Sequence, residues 1–213
     1  MRDNAQVNAA NSLSFMPMDG GVSGALRQAM NPDLHPEVIG AVKTWYADDG
    51  KEHEGQMIPS LQAAIQSTTG PLRERGVKWV IHCVGPIWTD WPIKESTFSK
   101  VLPRIRKAVS RALDICVRLG LTSIALPAIS GGIFTHYRVG SNIKAREQRA
   151  ARRAVIQAVF TWVDKHTCTN HANQSTLTDI ELSDLPGPSL QVFQELFVEA
   201  VKQRDDAASH TCI

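Results

Sequence analysis

Short apolar runs and long helical stripes take turns along this chain. Residues 77–84 hold Val77, Trp79, Val80, Ile81, Cys83 and Val84, a near-continuous run that suits a strand buried on both faces and stopped by Gly85-Pro86. His82 lies inside the run and reads as a hydrogen-bonded core histidine. Residues 97–120 carry the clearest helical stripe, through Phe98, Val101, Ile105, Val109, Leu113 and Val117. Pro103 is tolerable only in the first turns of that helix, and Gly120 is its expected cap. Residues 123–128 predict a second buried strand. A further helix starts after Gly140 and runs to about residue 165, striped by Ala154, Val155, Ala158, Val159 and Trp162.

Weaker patterns fill the intervals. Val38, Ile39, Val42, Trp45 and Tyr46 predict a helix over residues 36–46. Residues 48–55 are polar and read as a loop, residues 61–67 as a strand, and Thr69-Gly70-Pro71 as a turn. Trp88 and Trp91, in the loop over 87–95, read as lid or edge packing, with stacking of one indole on a base as the alternative. Residues 167–176 form a polar loop, and residues 177–182 a last strand whose Asp179 and Glu181 imply one exposed face. An amphipathic helix over 190–201 and a disordered tail over 204–213 complete the reading. Alternating strands and helices imply an α/β sandwich, a sheet with helices on both faces, in one domain over residues 1–203.

Composition narrows the function. A formal charge of +2 does not mark the whole chain as a nucleic-acid binder. No apolar run reaches the length of a membrane span, and no apolar signal core is present, so no membrane partner is expected. Cys83, Cys116, Cys168 and Cys212 lack paired spacing and read as reduced thiols of a cytoplasmic or nuclear protein. His166, Cys168 and His171 lie close but lack a second cluster, so no metal is expected. Lys144, Arg146, Arg149, Arg152 and Arg153, with Arg138 upstream, read as a solvated helix face; the alternative is a scaffold for RNA or poly-ADP-ribose.

The remaining chemistry is concentrated in residues 5–26, AQVNAANSLSFMPMDGGVSGAL. Val7 belongs to a short strand, Asn8-Ala9-Ala10-Asn11 breaks it, and Gly20-Gly21-Val22-Ser23-Gly24 forms a turn able to adopt positive φ ahead of a helix. Asn31-Pro32 ends that helix. Unpaired N–H groups at such a turn suit a phosphate or carboxylate. A second glycine turn, Ser130-Gly131-Gly132-Ile133-Phe134, follows the strand at 123–128.

These stretches resemble the macrodomain family of ADP-ribose-binding modules. The resemblance rests on Val7-Asn8-Ala9-Ala10-Asn11, Asp19-Gly20-Gly21-Val22, the segment from Val80 to Pro86, and the segment from Ala125 to Phe134, in the family's order. It implies a three-layer α/β/α sandwich with a mixed central sheet. Family members usually place one or two strands and a Gly-Asp-Ile turn before this point, so a sheet short of its first edge strand is expected, in a chain that is a fragment or starts late. Family members also continue from the Phe with a Gly- and Pro-containing turn, where THYRVGS stands over residues 135–141.

The resemblance also assigns roles. Gly20, Gly21, Ser23, Gly24, Ser130, Gly131 and Gly132 would hold the diphosphate, with Val22 and Ile133 lining the loops. Phe134 would lie against the far ribose, Asn11 would orient that ribose, and Asn8 would hold backbone. One hydrolytic branch carries an Asp that helps activate water where Ser23 stands here, and losing a general base costs about 10²–10⁴ in rate. Asp19 either substitutes for that Asp or is a turn residue. The resemblance therefore implies binding of ADP-ribose, free or protein-attached, with no cofactor. It leaves open whether the chain hydrolyses mono-ADP-ribose from acidic side chains or only reads the modification.

Overall fold

The fold is described from a computed structural model, for residues 4–9, 21–30, 44–46, 52–53, 63–68, 70–92, 94–132, 135, 141–167, 176–184 and 186–211. The strands are β1 (Asn4–Ala9), β2 (Thr44–Tyr46), β3 (Glu52–His53), β4 (Ala63–Ser67), β5 (Val77–Cys83), β6 (Ser123–Pro127) and β7 (Asp179–Ser183). The helices are α1 (Gly21–Met30), α2 (Gly70–Glu74), α3 (Glu95–Arg118), α4 (Ser141–Thr167) and α5 (Pro188–Thr211). The sheet order is β3-β2-β4-β5-β1-β6-β7. Strands β5, β1, β6 and β7 run parallel, and β4, β2 and β3 extend the sheet antiparallel. The expected mixed sheet is therefore present.

β1 is an interior strand, pairing with β5 from Asn4↔Val77 to Ala9↔Cys83 and with β6 from Asn4↔Ser123 to Gln6↔Ala125. Its Ala5 and Val7 are buried in one core with Ile81 and Cys83 of β5, Ile124 and Leu126 of β6, and the stripes of α3 and α4. On the opposite face Leu26 of α1 and Leu72 of α2 close over Val80 of β5. Alternation along β5 thus contributes to two apolar layers, while β1 gives Ala5 and Val7 to the main one. Trp162 Nε1 donates to Asp114 Oδ1 at 2.8 Å and ties α4 to α3. Gly120, at φ 65°, lets the chain leave α3 in the left-handed region while Leu121 N–H reaches Cys116 O at 2.9 Å.

Several expectations change. Trp45 and Tyr46 belong to β2, paired with Ala64 and Ala63 of β4, so tertiary pairing overrides their helical spacing; residues 36–43 of that expected helix lie outside the described residues. Glu52–His53 is a short strand inside the expected polar loop, and Gly70 and Pro71 open α2 where a turn was expected. α3 begins at Glu95, so Pro103 lies in its interior, on an exposed face where water can satisfy the freed carbonyl. Thr167 ends α4 instead of opening a loop. α5 continues through residues 204–211, where a disordered tail was expected. Arg204 holds that extension: it donates to both oxygens of Asp164 at 2.6 and 2.8 Å and stacks 4.6 Å over Phe160. The Arg204 hydrogen bond keeps the Asp164 carboxyl below its ordinary pKa.

Cys83 and Cys116 are free and buried, and burial pushes both thiols up to about 12. His82 is fully buried, and desolvation lowers it from 6.5 to about 3. The fold therefore holds a neutral imidazole, while the unfolded chain takes up a proton below pH 6.5. Stability falls as pH drops through 6.5 toward 3, by about 2 kcal/mol between pH 7.5 and pH 5. Urea unfolding at these two pH values should show that loss, and His82→Gln should flatten it. An unchanged slope in the variant would place the effect elsewhere.

Candidate functional site

The topology reverses direction between β1 and β6. From β1 the chain proceeds to the β2-β4-β5 side of the sheet through α1, whereas from β6 it proceeds to β7 through α4. α1 packs on one face and α4 on the other. Adjacent parallel strands whose connections diverge leave a crevice beyond their C-terminal ends, where α/β sheets bind ligands. Residues 128–132 leave β6 at that end.

This loop is tightly braced. Ile129 N–H donates to Pro127 O at 2.8 Å and Gly131 N–H to Ala128 O at 2.9 Å. Ser130 adopts φ 59°, a sparsely populated conformation for a non-glycine residue. Two hydrogen bonds hold it there: Ser130 Oγ donates to Pro86 O at 2.7 Å, and Trp88 Nε1 donates to Ser130 O at 3.0 Å. Gly85 makes the approach possible, because a Cβ there would stand 2.3 Å from Ser130 Oγ and 2.5 Å from Ile129 Cγ2. The loop's far end is tied by Thr135 Oγ1 donating to Gly132 O at 2.8 Å. Gly132 itself is exposed, with open space around its Cβ position.

The expected site residues divide accordingly. Ser130, Gly131 and Gly132 form the loop beyond β6, but Gly131 spends its N–H on Ala128 and Ser130 turns its hydroxyl to Pro86. Gly21, Val22, Ser23 and Gly24 form the first turn of α1, so the expected positive-φ turn is helical from Gly21 onward. Asn8 lies in β1 in register with His82. Asn11, Asp19, Gly20, Ile133 and Phe134 lie outside the described residues.

Two expectations about neighbouring groups are resolved by packing. Trp88 is buried edge-on against Phe98 at 5.2 Å and braces the loop, so it is no stacking platform for a base. Four arginines of α4 are paired with carboxylates, while Arg138 lies outside the described residues. Arg146 meets Glu95 at 3.0 Å, Arg153 meets Glu199 at 3.1 Å, and Arg149 lies 3.9 and 3.8 Å from Glu195 and Glu199. Arg152 is buried and paired with Asp184 at 2.6 Å. Sequence reasoning missed this pair and the close approach at Gly85. The available signal was the position of Arg152 on the stripe that continues through Val155, Ile156 and Val159. His166, at the end of α4, stacks on Trp162 at 3.9 Å, while Cys168 and His171 lie outside the described residues.

The Macro domain family model matches residues 7–139, more than half of the chain. The chain belongs to the macro domain family. A macro domain-containing protein of Listeria monocytogenes is 35% identical over 131 residues, covering 60% of each chain. An ADP-ribose glycohydrolase of Archaeoglobus fulgidus is 33% identical over 138 residues, covering 61% of this chain and 62% of its own length. The matched region thus spans less than two thirds of these relatives, and only 26% of a Thermotoga maritima protein that is 29% identical. In fold, this macro domain is similar to a mutant Oceanobacillus iheyensis macrodomain solved with ADPR, at TM-score 0.64, 21% identity, and coverage of 95% and 88%.

The bracing of the loop generates a stability test. Gly85→Ala should destabilise the fold by about 1–3 kcal/mol, as overpacking does, whereas Gly132→Ala should stay within about 0.5 kcal/mol of wild type. Urea denaturation of both variants checks the contrast. Equal midpoints would mean that the 129–130 turn yields freely.

Proposed function

We propose that this macro domain binds ADP-ribose, free or attached to protein, across the crevice between β1 and β6. The observation that carries the reading is the braced Ser130–Gly132 turn standing at the topological switch point. The family membership and the relative named as an ADP-ribose glycohydrolase support the choice of nucleotide. In this reading the loop beyond β6 and the start of α1 cradle the diphosphate, since a helix N-terminus favours an anion. Asn11 orients the distal ribose, its amide donating to one hydroxyl and accepting from another. Phe134 lies against the same sugar.

The chemistry that fits is hydrolysis of the ester between ribose and an acidic side chain. Water bonds to the anomeric carbon, the carbon–oxygen bond to the acyl group breaks, and the carboxylate leaves with its electron pair. The proton lost by water passes to solvent. Positioning carries much of the barrier reduction in a site without a strong base. One observation favours a second reading, that of a non-catalytic reader: the first turn of α1 contains Ser23 and no acidic residue.

Calorimetric titration of the chain with ADP-ribose tests the binding. Micromolar affinity is expected, lost in Gly132→Glu, whose side chain enters open space, and weakened in Asn11→Ala. No heat from a folded wild-type chain would overturn the reading. Release of ADP-ribose from a protein carrying it on a glutamate then separates hydrolase from reader, with turnover expected only for the hydrolase.

A further inference from the structure

The Arg152–Asp184 pair has the wrong exposure for an ordinary surface ion pair, with side chains only 4% and 12% exposed. Arg152 Nε and Nη2 both donate to Asp184 Oδ2, at 3.1 and 2.6 Å, while Nη1 donates to Gln148 O at 3.0 Å. Asp184 follows β7 directly, so the guanidinium clamps the end of that strand to α4. The same Nη1 lies 3.6 Å from where a Gly131 Cβ would stand, against the back of the loop that leaves β6. Ala128 O and Ala128 Cβ crowd that point at 3.0 and 3.1 Å.

Burying such a pair brings little net stability, because desolvation offsets the attraction, and well-packed apolar replacements are often neutral or stabilising. What the pair supplies is direction. A planar fork held by three hydrogen bonds to two acceptors, Asp184 Oδ2 and Gln148 O, cannot slide, and it sets the back wall for Gly131. We propose that Arg152, held by Asp184, is a positioning residue that keeps residues 128–132 in the shape ligand binding requires. Ser130 and Trp88 brace the loop from the β5 side; Arg152 braces it from the α4 side. The proposal rests on the ADP-ribose reading for the identity of the ligand, but not for the state of the loop.

The test compares wild type with Arg152→Met/Asp184→Asn, which nearly keeps volume and removes both charges, and with Arg152→Lys, which keeps the charge and loses the fork. Two measurements are made on each folded chain: amide hydrogen exchange of the segment holding Gly131, without ligand, and calorimetric affinity for ADP-ribose. The expected result is roughly tenfold faster exchange and at least tenfold weaker binding in both variants, with urea midpoints near wild type in the double variant. Unchanged exchange, or faster exchange with unchanged affinity, would overturn the proposal. A wild-type chain that does not bind ADP-ribose would sink the ligand assignment alone, and the exchange rates would still decide whether the pair holds the loop.

Discussion

Strand β1 hydrogen-bonds on both sides, along its length to β5 and at its start to β6, and this double pairing sets the frame of the sheet's central strands. An interior strand cannot slip by one residue without moving Ala5 and Val7 out of the core and exposing polar neighbours to it. Register with β5 and β6 therefore fixes where three chain segments emerge at one end of the sheet. The described segments after β5 and β6 inherit that precision. Gly85-Pro86, the 128–132 turn and Trp88 interlock because the strands beneath them already stand side by side.

The helical layers are held by a different balance. α1 and α2 meet β5 through a small apolar cluster, while α3, α4 and α5 share the main core. Around that core, α4 is laced to its neighbours by arginine–carboxylate pairs, most of them exposed, and such surface pairs contribute little each. Their effect is to set carboxylates against Arg146, Arg149 and Arg153, which the sequence displays as part of a basic block.

The sequence carried the sheet-forming runs and the long helices because burial writes its period directly into residues such as Val80, Ile81 and Ile105. The family was legible in Val7 to Asn11 and in Ser130 to Phe134. What escaped depended on partners far away in the chain. Trp45 and Tyr46 have helical spacing, yet β4 recruits them into a strand. Arg204 looks like tail, yet Asp164, forty residues upstream, docks it. Arg152 reads as one more cation until Asp184 lies beside it. Likewise the inward turn of the Ser130 hydroxyl follows from Pro86, which no local pattern announces.

The open space around Gly132 has an evolutionary meaning. Gly85 and Gly131 are constrained by their neighbours, so drift there is paid in stability. At Gly132 the scaffold is indifferent, and new side chains can be sampled with little penalty to folding. A side chain at this one position therefore changes what the loop presents to its surroundings while the architecture stays still.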